Sequence, residues 1–379
     1  MPHTIMRTLF IAFNLLIVSI CLAQSKQYYL FIGTYTNTKS EGVYVYKFNE
    51  EDGNATFISK AKTDNPSYLA ISHNHKFMYA VKEGGADNTS AVSAYRFNSN
   101  NGELTFINRQ PTKSNGPCYV AVNASRKWVF TANYKGGSLS AFSVKYDGSL
   151  DTVSQLIQHI GSSANKSRQQ EPHVHTVVFS PDEKYLFTND LGTDKINRYS
   201  FNPNAYPFPL SQGNDSVTKS ASGNGPRHLA FSPNNKFMYV INELAGTIDV
   251  FAYSENSLKL LQTISTDSTN NSDKGSADIH LSPDGNFLYA TNRGNYNSIA
   301  TFRINNKSGK LQLINVQNTG GIMPRNFCIT PSGNWLLIGH QKSDYITLFK
   351  RNLKTGILTP TSQPIPISSA VCLKMIDID

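Results

Sequence analysis

The sequence predicts an all-β chain folded as a seven-bladed β-propeller, with four antiparallel strands per blade. Three observations predict it. One pattern recurs roughly every fifty residues along the chain. Each copy holds a hairpin followed by two further strand-like runs. One copy is divided between the two ends of the chain, so that the C-terminal segment completes the N-terminal blade.

The repeat emerges when Lys76, Lys127, Lys184, Lys236, Asn286 and Asn334 are aligned, at intervals of 51, 57, 52, 50 and 48 residues. In the copy at residues 225–244, Leu229 and Phe231 alternate with smaller or polar residues. Pro233-Asn234-Asn235 marks a turn, and residues 237–241 form the continuous apolar run of a buried strand. The two strands are antiparallel, so Arg227 and His228 at the start of the hairpin share a sheet edge with Asn242 and Glu243 at its end. Third strands follow at 92–97, 139–144, 196–201, 247–251, 299–304 and 346–349, each leading to a fourth. In the divided copy, residues 28–33, 42–48 and 56–61 supply strands two to four, and 370–376 supply the first. Closing the ring this way removes exposed sheet edges. The polar insertions at 202–224 and 266–275 are expected to overhang the rim.

At the N-terminus, Arg7 precedes an apolar run over 9–22, and Cys21-Leu22-Ala23 offers small residues for cleavage before Gln24. Residues 1–23 therefore read as a secretory signal. That leaves one propeller domain over 24–379, exported to the periplasm or beyond, with no membrane anchor. Acylation at Cys21 is disfavoured by the bulk of Ile20. The net charge of +9 comes from basic residues that are spread out. It suits attraction of an anionic small molecule and lacks the clustered stripe of a nucleic-acid binder. Cys118, Cys328 and Cys372 cannot all pair and show no CxxC spacing. They read as buried thiols, without a disulfide framework or a metal site.

In a propeller, the segment before each first strand and the segment after each second strand meet on one face. That rule gathers Glu83, Asn133, Lys135, His173, His175, Asn189, Asp190, Arg227, His228, Asn242, Glu243, Arg293, Arg325, His340 and Gln341 at one mouth. Glu171-Pro172-His173-Val174-His175 sets two imidazoles at i and i+2, on one face of an extended strand. No third ligand stands at a spacing that would make them a metal site. Any one of these residues could simply cap a strand or close a turn. The joint set of arginines, a glutamate and two histidines points instead to a site for an anion with an acid/base group at hand. There is no G-x-S-x-G, H-E-x-x-H, P-loop or G-x-G-x-x-G, so neither a serine nucleophile nor a cofactor is indicated.

At these residues the chain resembles the seven-bladed lactonase family, which includes cytosolic 6-phosphogluconolactonases and fungal carboxymuconate cyclases. The matching pieces are Ile32-Gly33-Thr34-Tyr35-Thr36 with Gly42-Val43-Tyr44, Pro172-His173-Val174-His175, Asn189-Asp190-Leu191-Gly192, Gly225-Pro226-Arg227-His228-Leu229, Asn242-Glu243-Leu244, Asn292-Arg293-Gly294 and Pro324-Arg325-Asn326-Phe327. They span the exported chain in order. The resemblance implies hydrolysis of a sugar lactone, either 6-phosphogluconolactone or, for an exported protein, an unphosphorylated aldonolactone. The residues it implies are His173 or His175, Arg227, Glu243 and Arg293. A histidine oriented by Glu243 would activate water, and Arg227 and Arg293 would hold the anion and the growing carbonyl charge. His228, Asn242, Arg325, Asn189 and Gln341 are expected around the substrate. Arg227→Ala is expected to lower kcat/KM by roughly tenfold or more without unfolding the chain. Asp278 stands where the family often has a glutamate, and its shorter reach argues against a central role. The alternatives are a non-catalytic ligand- or protein-binding propeller and a carboxymuconate-type cyclase.

Overall fold

The computed structural model describes residues 26–84, 89–213, 216–255, 257–267 and 275–378. The expected signal segment lies outside them. Every regular element among the described residues is a strand, and the strands form seven antiparallel sheets. Taken from the axis outward, blade 1 is Ala370–Asp377, Gln27–Thr34, Gly42–Asn49 and Ala55–Lys62. Blade 2 is Leu69–Ile71, Phe77–Lys82, Ala91–Asn98 and Glu103–Pro111, and blade 3 is Pro117–Val122, Trp128–Asn133, Ser138–Val144 and Leu150–Gln158. Blade 4 begins Val174–Phe179, Tyr185–Asp190 and Lys195–Phe201. Blade 5 is Pro226–Phe231, Phe237–Asn242, Thr247–Ser254 and Ser257–Ser265, and blade 6 is Ser276–Leu281, Phe287–Asn292, Ser298–Ile304 and Leu311–Asn318. Blade 7 is Pro324–Ile329, Trp335–His340, Tyr345–Arg351 and the short Leu358–Pro360. The ring closes where Tyr28 to Gly33 pair with Asp377 to Cys372.

The first hairpins of blades 2, 4, 5 and 6 share one turn chemistry. The hydroxyls of Ser72, Ser180, Ser232 and Ser282 accept the amides of Phe77, Tyr185, Phe237 and Phe287, all at 3.0 Å. Each hydroxyl donates in turn to the side chain two residues on, as Ser232 does to Asn234 at 2.7 Å. The next residue takes the left-handed conformation in both the asparagine and the glycine versions, with φ 58° at Asn235 and 69° at Gly285. Adjacent blades lock through an aromatic pair. Tyr79 donates to the carbonyl of Gly148 in the next blade at 3.2 Å, while the Phe77 ring lies where a Cβ on Gly148 would come within 2.2 Å. Tyr239 and Phe237 meet Gly309 in the same way, and Tyr289 and Phe287 meet Gly356. Each phenylalanine so buried contributes on the order of 2 kcal/mol.

The segment 202–224 does not overhang the rim as a whole. Leu210–Ser211 and Val217–Lys219 both pair with Lys195–Phe201, so part of the insertion supplies the interrupted outer strand of blade 4. Its first part packs at the opposite face, where Trp128 donates to the Pro203 carbonyl at 3.0 Å. The second insertion is described only at its ends, and there Gly275 carries rim contacts to Arg293.

Candidate functional site

The inner strands are not regular along their length. Near the rim their pairing with the second strand shifts between Pro117 and Tyr119, Val174 and Thr176, Pro226 and Leu229, Ser276 and Ile279, and Pro324 and Asn326. The residues inside these irregularities are Cys118, His175, Arg227 with His228, Ala277 with Asp278, and Arg325. A bulge bends the strand and re-aims side chains. Here five consecutive blades use one to turn a chemically active residue toward the axis.

Six of the residues expected at the mouth, Glu83, Lys135, His175, Glu243, Arg293 and Arg325, line one rim cavity of about 200 Å³. Tyr35, Cys118, Tyr134 and Arg168 complete its wall. Glu243 is the electrostatic centre. Its Oε1 accepts from Arg168 Nη2 at 2.6 Å, and its Oε2 lies 2.9 Å from both Arg227 Nε and Arg293 Nη2. The Arg227 contact is close but lies off the line of a hydrogen bond, so its attraction is coulombic. Burial by itself would raise the Glu243 pKa. Arg293, Arg227 and Arg168 outweigh it and hold the carboxyl far below the usual range. Glu243 is therefore a fixed anion that arranges three guanidiniums, and it orients no histidine. That corrects the expected histidine–glutamate pair.

His175 lies deeper and is 4% exposed. Its Nδ1 is 3.8 Å from Cys118 Sγ, its ring meets Tyr134 edge-on at 5.3 Å, and Nε2 has no protein hydrogen-bond partner among the described residues. Burial, then the charges of Arg227, hold the imidazole well below its ordinary pKa, so it is neutral near pH 7. Burial likewise pushes the Cys118 thiol up and keeps it protonated.

His173 does not share the face of His175. Blade 4's inner strand starts only at Val174, and His173 stacks on Tyr134 at 4.5 Å with Nδ1 donating to the Tyr134 carbonyl at 3.0 Å. Arg227, 1% exposed, lies beneath the cavity wall and donates to the Ala277 carbonyl. Burial brings its pKa down to about 10, with Arg293 and Arg325 adding to the effect. Removing this buried cation would unbalance Glu243, so Arg227→Ala would not leave folding untouched, contrary to the expectation above. Asn189 supports that layer, with Nδ2 3.3 Å from the Arg227 carbonyl. Asn242 is engaged by Thr247 and Asp249 at 3.0 Å, and Gln341 Nα bonds to the Met323 carbonyl. Neither lines the cavity.

His228 stands further down the axis. Its Nδ1 is 2.7 Å from Asp278 Oδ1, while burial and Arg227 bring its pKa down to about 3. Asp278 also meets His280 at 2.9 Å and accepts from the Phe327 amide at 3.1 Å. The shorter carboxylate is thus a hub beneath the site, not a bystander. The sequence reading left Tyr35, Cys118, Tyr134 and Arg168 out of the site. Tyr134 directly follows a second strand, Trp128–Asn133, which is the signal that could have placed it at the rim. Arg168 comes from a longer loop, held where Gln169 donates to the Leu191 carbonyl at 2.8 Å.

A second cavity of about 420 Å³ opens on the axis from the opposite face. It is larger, but its wall is mainly apolar. The acid/base and charged groups converge on the smaller one.

The chain matches the model of the family "Lactonase, 7-bladed beta-propeller" over residues 29–375. It is 37% identical over 349 residues to a 6-phosphogluconolactonase of Formosa agariphila, covering 91% of this chain and 99% of that one. It is 35% identical to the 6-phosphogluconolactonase of Bacillus subtilis, covering 92% and 99%. Among solved structures it superposes on a periplasmic gluconolactonase of Pseudomonas aeruginosa with a TM-score of 0.89 at 34% identity, covering 93% and 100%.

Proposed function

We propose, for a chain that belongs to the family of seven-bladed β-propeller lactonases, that the rim cavity hydrolyses a sugar lactone to the open-chain acid. The observation that carries this reading is a neutral, buried His175 facing guanidiniums that are held in place by one ionised glutamate. Water attacks the lactone carbonyl and passes its proton to His175 Nε2. The oxyanion that forms is stabilised by the cavity-lining Arg168, Arg293 and Arg325. As the ring C–O bond breaks, the leaving oxygen takes the proton back from His175, so the imidazole serves as base and then as acid. Glu243 and Arg227 position the guanidiniums.

In the cavity wall, Lys135, Arg168, Arg293 and Arg325 outnumber Glu83 and Glu243. The surplus favours a lactone that carries an anionic group, which matches the 6-phosphogluconolactonase relatives. The apolar run over 9–22 and the periplasmic gluconolactonase relative support export of the chain.

The test is hydrolysis of 6-phosphogluconolactone and of unphosphorylated gluconolactone, measured above the spontaneous rate, beside Arg293→Ala. Turnover of the phosphorylated lactone that is lost in the variant supports the anionic substrate. Turnover of the neutral lactone alone moves the reading to an aldonolactonase. Absence of both overturns hydrolysis at this site.

A further inference from the structure

The axial cavity on the opposite face has its own recognition chemistry. Its walls come from the inner strands of blades 1 to 4, where half-buried Ile71, Ala121, Val178 and Met375 present an apolar surface. Its inner end is an aromatic platform in which Tyr68 and Tyr119 stack with centroids 3.8 Å apart. Behind the platform His228 stands edge-on to both rings, at 5.9 and 5.3 Å. This layer separates the axial cavity from the rim cavity, and the two share no lining residue.

Ser72, His73 and His75 of the blade 2 turn also line the pocket, and Lys374 is its one lysine or arginine. Its Nζ lies 4.6 Å over the Tyr68 ring and donates to the Tyr68 hydroxyl at 3.3 Å. It forms no ion pair among the described residues. Asp278, the nearest acid to influence it, is already engaged by His228, His280 and the Phe327 amide. Burial disfavours the ammonium, the ionised Asp278 favours it, and its pKa is raised. An ammonium at the inner end of an apolar pocket is costly without an anion beside it. A cavity of about 420 Å³ also falls within the usual size for small-molecule sites, roughly 300 to 1,000 Å³.

From this juxtaposition we infer that the axial cavity is a second ligand site, taking a small organic carboxylate with an aromatic or branched apolar body. The carboxylate pairs with Lys374 Nζ, and the apolar body lies along Ile71, Val178 and Met375 against the Tyr68–Tyr119 platform. The site is independent of the lactone reading, because it shares no residue with the rim cavity.

The probe is benzoate, titrated into the full exported chain by calorimetry and by saturation-transfer NMR, with uncharged benzamide beside it. Benzoate is expected to bind with benzamide at least about tenfold weaker. Lys374→Met should weaken benzoate by about tenfold or more, whereas Lys374→Arg, which keeps the cation, should hold it within about threefold. Ala121→Trp, which fills the pocket without touching the charge, should abolish binding. A thermal melt close to wild type should report that all three variants fold. Equal binding of benzoate and benzamide, unchanged benzoate affinity in Ala121→Trp, or no benzoate binding below about 10 mM would each overturn the assignment.

Discussion

One inner strand, Val174–Phe179 of blade 4, meets both cavities and behaves differently at its two ends. At the rim end its register shifts around His175, and the neighbouring side chains are Cys118, Tyr134 and His228. At the turn end, pairing from Thr176 with Asn189 to Phe179 with Leu186 is regular, and Val177, Val178 and Phe179 line the axial pocket. The difference teaches how a propeller separates folding from chemistry. Regular pairing and serine-anchored turns hold the ring at one face. Five bulges at the other face aim polar side chains that ordinary strand alternation would scatter.

Four substitutions or conditions test that division. The largest effect is expected at His175, the group placed to carry the proton. His175→Gln should lower kcat by about 10²–10⁴-fold, the usual range for a lost general base, with a thermal melt close to wild type. Glu243→Gln should destabilise the chain by about 3–5 kcal/mol in urea titration, because three guanidiniums lose their shared anion. Arg293→Ala should lower kcat/KM by about 10²–10³-fold, and a variant with normal turnover would remove Arg293 from the charge-stabilising set. The smallest effect belongs to the turn face. Ser232→Ala removes two turn hydrogen bonds and should cost about 1 kcal/mol in stability while kcat/KM is unchanged.

Acid pH sharpens the comparison further. His228 at about 3 and His340 at about 4 lie below the unfolded value of about 6.5. Their folded-state values are depressed, so the unfolded chain binds protons that the folded chain does not. Their contribution to stability is therefore complete above about pH 6.5 and is lost as pH falls through 4 and then 3. The melting temperature should drop across that window. The depressed pKa of His175 has the opposite kinetic signature, since the base remains deprotonated and the acid limb of kcat/KM should fall well below pH 6.5.

The ring was legible in the sequence because each blade repeats its own local chemistry: a Ser-Pro-Asp-Gly-like turn, an apolar second strand and an aromatic third. The divided blade was legible because its three N-terminal strands lack a partner that 370–376 supplies. The topological rule brought Glu83, Lys135, His175, Glu243, Arg293 and Arg325 to one cavity. It could not show which way each side chain turns, because bulges break the period of two. His173 was therefore set beside His175 when it lies behind Tyr134. Nor does sequence spacing report every partner, so Glu243 was assigned to a histidine when Arg227 of its own blade, Arg293 of the next blade and Arg168 of a loop surround it. Arg168 was missed because its loop folds back to the mouth through contacts distant in sequence.

The most direct measurement is single-turnover hydrolysis of 6-phosphogluconolactone by the wild-type chain and by His175→Gln, with the spontaneous rate subtracted. If the bulged residue of blade 4 carries the proton, the variant should fall by about 100-fold or more while keeping its fold and its substrate affinity. A folded His175→Gln protein that turns over at the wild-type rate would contradict the assignment and return the base to another group at the rim.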